Sequence, residues 1–284
     1  MTQVLSSAPS LASNLARLGR PQNIVYSGLL AIEATSLYHQ WVIGIEYYVL
    51  LFCLYNVAAG YNNIRDLDID LHNNADRNPL ITGALSMRVV YSWLALNILA
   101  IIGLQFYLPQ SSSLLYSVMY IFLLYAYSSR QLNVQAKGFL ATIVLATCYG
   151  AIPLMLAGTP HLHNIGWLAG LQILLLSPYL LAKDYKDLSG DKRGNKQTPL
   201  VRYGARAIQR VAAITYLAGC VGILYVLVGT HRHLTVVTVT CLLLAAGACV
   251  TEVHRKQGLV PQYFIRLTQG LLLALNYLLL ANFG

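Results

Sequence analysis

Two short stretches hold most of the acid in this 284-residue chain. In 62–70 (NNIRDLDID), Asn62, Asp66 and Asp70 recur at i, i+4 and i+8; in 183–199 (KDYKDLSGDKRGNKQTP), Asp184, Asp187 and Asp191 recur at i, i+3 and i+7. On a helix of 3.6 residues per turn each set makes a stripe of oxygen donors along one face. Seven of the ten carboxylates (Asp66, Asp68, Asp70, Asp76, Asp184, Asp187 and Asp191) sit in or beside these stretches. Two such concentrations of acid call for a cation. Oxygen donors without neighbouring His or Cys suit Mg²⁺, which keeps several waters and shares the phosphates of its substrate. Asp68 falls on another face and is expected in solvent or supporting the ligands from behind.

The elements that must position these stripes are apolar. Hydrophobic residues make up 57% of the chain, charged residues 10%, and the mean hydropathy is +0.56. Runs of seventeen or more apolar residues recur, each long enough to cross the hydrocarbon layer as a helix. Backbone in lipid must satisfy its own hydrogen bonds, so the expected fold is an all-α integral membrane bundle. Nine spans are expected, near 23–39, 41–64, 88–108, 112–129, 138–158, 164–183, 207–229, 233–251 and 261–282. The first two, joined by little more than His39-Gln40, must form a tight hairpin. Residues 1–22 precede the spans; they are too polar for a signal peptide and read as an interfacial helix leading into Arg20-Pro21. The whole chain, 1–284, reads as one domain. Its five cysteines (Cys53, Cys148, Cys220, Cys241, Cys249) stand singly in apolar segments, as packing residues do.

Of nineteen Lys and Arg, eighteen lie at the N-terminus, in the loops after spans two, four, six and eight, or at the bordering helix ends; only Arg232 lies on the other side. Positive residues stay cytoplasmic, so the expected topology has the N-terminus and both acidic loops inside and the C-terminus outside. This distribution accounts for most of the net charge of +9 without nucleic acid. The acidic loops follow spans two and six, a spacing that suggests pseudo-symmetry and lets the stripes face each other across a central cavity capped on the cytoplasmic side. Lys183, Lys186, Lys192, Arg193 and Lys196 surround the second stripe. Some belong to the positive-inside loop, but cations together with metals are what a diphosphate requires. No glycine-rich nucleotide loop is present, so side chains and metal must hold it.

The segment 62–86 resembles the first motif of the UbiA superfamily of intramembrane prenyltransferases through Asn62, Asp66, Asp70, Arg77, Pro79, Leu80 and Gly83. The segment 183–204 resembles the second through Asp184, Asp187, Gly190, Asp191, Thr198, Pro199, Tyr203 and Gly204. Arg20-Pro21 resembles the family's entry to the first span. The chain departs from the pattern at Arg77-Asn78-Pro79-Leu80, where the arginine is displaced by one residue. After Tyr127-Ser128, where the family often shows a basic residue, the chain leads to Asn133 with Lys137 further on, and Lys137 is the candidate.

The resemblance implies transfer of a prenyl group from a polyprenyl diphosphate to a lipophilic or aromatic acceptor, with Mg²⁺ as cofactor. Its metal ligands would be Asn62, Asp66, Asp70, Asp184, Asp187 and Asp191, of which Asp66, Asp70, Asp187 and Asp191 carry catalysis. Arg20, Asn62, Arg77, Lys137, Lys183 and Lys186 would bind the diphosphate. An allylic cation needs a dry, electron-rich wall, and twenty tyrosines offer one, Tyr149 among the candidates. The expected acceptor is an aromatic quinone precursor; a non-aromatic lipid, carotenoid or tetrapyrrole is the alternative. The rival enzyme is a terpene cyclase on the same scaffold. A secondary transporter would bury its acids mid-span, whereas these lie at helix ends. Of the polar residues within spans, Glu33 could reach the cavity and Asn56 suits an interhelical hydrogen bond. Glu46 lies about 24 Å along its helix from Asn62, too far to take part.

Overall fold

Long apolar runs can satisfy their backbone only as helices, and helices are what the computed structural model contains. It describes residues 10–36, 40–73, 78–108, 112–158, 165–193, 197–228, 233–257, 259 and 262–283. No strand occurs among the described residues. Six helical segments are long and apolar enough to cross a membrane: Trp41–Arg65, Met87–Tyr107, Phe139–Ala157, Ile165–Tyr185, Pro199–Tyr225 and Thr235–Arg255. Ser113–Ser128 and Arg266–Ala281 are apolar but shorter. The chain is a multi-pass membrane protein.

The N-terminal helix α1 (Leu11–Gly19) is capped by the Ser10 hydroxyl, which accepts from Ser13 N at 3.2 Å. It ends at Arg20, which takes left-handed backbone at φ 47°, unusual for a side chain with a Cβ. This helix is docked rather than loose: Leu18 is fully buried against Leu85 and Val90. Helices α2 (Val25–Ser36) and α3 (Trp41–Arg65) form the expected tight hairpin. Gly44 lets it close, since a Cβ there would stand 2.3 Å from Thr35 Oγ1. Asn56 of α3 donates to Asn97 at 3.3 Å, the interhelical bond expected of it.

The short α4 (Leu67–Asn73) follows α3 after a break at Asp66, and α5 (Met87–Tyr107) and α6 (Ser112–Ser128) come next. The expected span 138–158 is α7 (Phe139–Ala146), a π-helical turn at Thr147–Ala151 and α8 (Ile152–Gly158). Helix α9 (Ile165–Ala182), with Pro178 inside, continues into a 3₁₀ turn, Lys183–Asp187, and α10 (Leu188–Arg193). Helix α11 (Pro199–Val228) begins well before the expected 207, starts on a proline and bends at Gly204, φ 77°. Helices α12 (His233–Arg255) and α13 (Gln262–Phe283) complete the bundle.

Burial separates centre from periphery. Helix α9 is buried on most sides, whereas α5, α6 and α11 turn Leu99, Phe106, Phe122, Ile214 and Tyr225 outward, as lipid-facing helices do. Cys53, Cys148 and Cys249 are buried, and all five cysteines are free.

Candidate active site

Both acidic stretches border one cavity of about 350 Å³. Asn62, Asp66 and Asp70 line it from α3 and α4; Lys183, Asp184 and Asp191 line it from the turn after α9 and from α10. Helices α4 and α10 touch, so the stripes close on each other as expected.

Neither stripe is the uninterrupted helix face its spacing suggested. The first crosses the break at Asp66 (φ −93°, ψ 15°), yet Asp66 N bonds Asn62 O at 2.8 Å and Asp70 N bonds Asp66 O at 2.7 Å. The i→i−4 bonds carry the helical period through the irregular residue, so all three donors keep one side. The second changes geometry. In the 3₁₀ turn i and i+3 eclipse, which places positions 184 and 187 on one side, while Asp191 enters from α10. The side chains of Lys186 and Asp187 lie outside the described ones, as do Asp76 and Arg77 entirely.

Asparagines hold the first stripe. Asn63 accepts from Arg20 at 2.9 Å and donates to the carbonyls of Leu18 (3.0 Å) and Ala59 (2.8 Å). It thereby seats Arg20, with its left-handed backbone, at the cavity wall. Asn78 donates to Asp70 Oδ2 at 2.9 Å and to Asn63 O at 3.0 Å, and its own Oδ1 accepts from Leu80 N. The residue standing where the family motif has arginine is therefore a neutral brace on Asp70. Asn62 Oδ1 accepts from Ser128 at 2.8 Å and keeps a second lone pair.

Lys183 carries the cation of the other wall. It donates to Tyr127 Oη at 2.9 Å, lies over that ring at 5.2 Å from the centroid, and stands 4.0 Å from Asp184. Lys137, by contrast, is exposed and is not among the lining residues. It sits in a loop pinned by the stacking of Phe139 on Tyr203 at 4.9 Å, so the expected role for Lys137 gains no geometric support. What the α6 end supplies instead is Tyr127 and Ser128. Asp68 is exposed, as expected.

Beyond the acids the wall is aromatic. Tyr26, Tyr55, Tyr149 and Tyr179 line it, with Leu124 and Leu176. The π-helical turn puts Tyr149 there, 6.0 Å from Tyr55, and its carbonyl accepts from Ser27 at 2.7 Å. Asn23 donates to Tyr55 Oη at 2.8 Å. At the apolar end Tyr26 donates to Gln172 at 2.9 Å and accepts from Asn276 at 3.1 Å, and the two amides pair with each other, tying three helices together. Glu33 does not reach this space, and its Oε2 is buried without a hydrogen-bond partner among the described residues.

The donor set can be tested against Mg²⁺. Every donor from the two stripes is oxygen, and among the described residues no Cys or His lines the cavity. Among the described residues no three carboxylate, His or Cys side chains gather as a closed cage. A cation here must complete its shell with water and substrate oxygens, the habit of Mg²⁺ rather than of Zn²⁺ or Ca²⁺. The residues fit.

The fold and site thus define a helical membrane bundle with a two-sided acidic and cationic cavity over an aromatic wall. The profile of the UbiA prenyltransferase family matches residues 24–262, and the chain belongs to that family. A protein of Thermococcus sibiricus named digeranylgeranylglyceryl phosphate synthase is 28% identical over 205 residues, 70% of this chain and 71% of that protein. A UbiA homologue from Archaeoglobus fulgidus bound to DMAPP and Mg²⁺ superposes with a TM-score of 0.73 at 14% identity, covering 95% of this chain and 99% of the other. A solved digeranylgeranylglyceryl phosphate synthase superposes at 0.67 and 17% identity, covering 95% and 98%. The fold is thus shared over nearly the whole chain. The protein is a prenyltransferase.

Proposed function

We propose that the chain transfers a prenyl group from a polyprenyl diphosphate to a lipophilic acceptor in a Mg²⁺-dependent reaction at the cytoplasmic face. The observation carrying this reading is the convergence of two separate acidic stretches, with Arg20 and Lys183, on one cavity whose deeper wall is aromatic. Asn62, Asp66, Asp70, Asp184, Asp187 and Asp191 would hold the metal, which when bound shields the diphosphate and stabilises its departure. Arg20 and Lys183 neutralise the remaining phosphate charge, and Tyr127 aims the lysine. The allylic C–O bond breaks with its electron pair going to the diphosphate, the acceptor's nucleophilic atom bonds the carbon, and the acceptor gives up a proton. Tyr55, Tyr149 and Tyr179 face the electron-poor carbon with π density and exclude water.

The aromatic quinone precursor that the family resemblance implied has no counterpart among the named relatives. Two of them, from Thermococcus sibiricus and Pyrococcus furiosus, carry the name digeranylgeranylglyceryl phosphate synthase. That name favours a prenylated glyceryl phosphate as the acceptor, and the aromatic ring becomes the second reading.

Purified protein in lipid nanodiscs, given Mg²⁺ and geranylgeranyl diphosphate, should be nearly silent. Geranylgeranylglyceryl phosphate should start diphosphate release, an aromatic acceptor such as 4-hydroxybenzoate should not, and chelation should stop it. Rapid release without any acceptor, with a cyclised hydrocarbon as product, would establish the cyclase instead. No release under any condition would favour a transporter.

We also read nine crossings, with the N-terminus inside and the C-terminus outside. A reporter after Gly284 should be external and one near Gln135 cytoplasmic. A cytoplasmic C-terminus would remove one span, with the 12-residue α2 the first suspect.

A further inference from the structure

We infer that His254 is a positioning residue for the second acidic stretch, acting through Tyr185 on the orientation of Asp184. The inference rests on the reading of that stretch as one side of the Mg²⁺ and diphosphate site. His254 closes α12, far from both motifs in sequence, and is buried to 4% exposure. Its Nε2 stands 2.8 Å from the Pro178 carbonyl oxygen. A carbonyl only accepts, so Nε2 carries the proton, and in the neutral ring Nδ1 is left as an acceptor. Tyr185 donates to it: its hydroxyl stands 3.2 Å from Nδ1, and the two rings meet edge to face at 5.7 Å and 77°. The backbone at His254 is fixed too, its carbonyl accepting from Gln209 of α11 at 3.0 Å.

Pro178 and Tyr185 mark the two weak places in the support of the second stretch. A proline inside α9 removes one backbone donor and opens the ladder to bending. Five residues later the chain enters a 3₁₀ turn, a geometry that rarely sustains itself for long. One imidazole braces both. In a 3₁₀ turn successive side chains diverge by a third of a revolution, so the direction of Tyr185 sets that of Asp184. Tyr185 points into a small core with Leu181, Leu200, Ile208 and Val253, while Asp184 lines the cavity. The brace therefore fixes the rotation of the turn about its own axis, which decides whether Asp184 meets a cation.

Two half-conservative replacements separate the arms of the brace. In His254→Asn the side-chain oxygen can take the place of Nδ1 and still receive the Tyr185 hydroxyl. In His254→Gln the amide nitrogen can take the place of Nε2 and keep only Pro178. Tyr185→Phe deletes the hydroxyl alone and keeps the ring packed.

Two midpoints in Mg²⁺ are read on detergent-purified full-length protein: that of turnover, and that of thermal stabilisation in the presence of inorganic diphosphate. Tyr185→Phe and His254→Gln should raise both by about tenfold, the usual range for groups that orient metal ligands. The maximal turnover at saturating Mg²⁺ should change much less, and His254→Asn should recover the wild-type midpoints. Lowered melting temperatures with unmoved Mg²⁺ midpoints, in a wild-type background that responds to Mg²⁺ and diphosphate, would make the brace merely structural and overturn the inference alone. A wild-type protein stabilised by neither would remove the underlying site reading, and the inference with it.

Discussion

The two acidic stretches use the same donors at similar spacing, but the protein supports them in different ways. The first sits at the end of the 25-residue α3, and its supports are short: Asn78 touches Asp70 directly, and Ser128 touches Asn62 directly. The second sits on a 3₁₀ turn after a proline-containing helix, and its support is relayed through Tyr185 to His254. An amide bonded straight to a carboxylate fixes one oxygen; a buried tyrosine fixes the backbone that carries the carboxylate. The contrast implies one rigid shelf and one whose geometry depends on the packing of α9 against α12.

The largest expected effect tests whether both shelves are needed. Asp66→Ala and Asp187→Ala should each lower turnover by more than about a hundredfold, about 3 kcal/mol of lost electrostatic stabilisation. The melting temperature should hardly move. Full activity of either variant at limiting Mg²⁺ would leave a single functional shelf.

Next comes the direct brace. Asn78→Ala should cost about ten- to hundredfold in Mg²⁺ affinity or turnover, as loss of a ligand-orienting partner does. It should also lower stability, because Asn63 O loses its Asn78 donor and Leu80 N its Asn78 acceptor. An Asn78→Ala protein with wild-type Mg²⁺ dependence would show that Asp70 needs no brace, and the contrast between the shelves would fail.

A smaller effect is expected where the second shelf meets its cation. Tyr127→Phe removes the bond to Lys183 and should weaken diphosphate binding by about fivefold, since Lys183 is partly exposed and solvent shares its charge. Titration of inorganic diphosphate by calorimetry would read this, and an unchanged affinity would separate Tyr127 from the site. The smallest effect belongs to Asp68→Ala. The side chain is exposed, so turnover should stay within about twofold. A loss equal to that of Asp66→Ala would mean that Asp68 is a ligand.

The shared side of the first stripe was legible because helical period survives local irregularity. Asn62, Asp66 and Asp70 share a side although the helix breaks at Asp66, since two i→i−4 bonds bridge the break. The apolar runs were legible because hydrocarbon admits little but helix. Charge and loop position say nothing of direction: Lys137, in a loop turned by Gly138 at φ 62° and held by the Phe139–Tyr203 stack, is not among the residues lining the cavity.

Composition and spacing by themselves determined a helical membrane protein with two acidic stripes, since both follow from periodicity and from the cost of polar backbone in lipid; that the stripes border one cavity was decided by the tertiary structure. Only the tertiary structure decided which neutral residues hold those stripes. Asn63, Asn78 and His254 carry no spacing that singles them out, and Tyr55 is one of twenty tyrosines. Their roles come from partners distant in sequence, 15 positions from Asn78 to Asn63 and 76 from His254 to Pro178. A hydrogen bond depends on distance in space, and a helical period carries no information about which faces of two distant helices will meet.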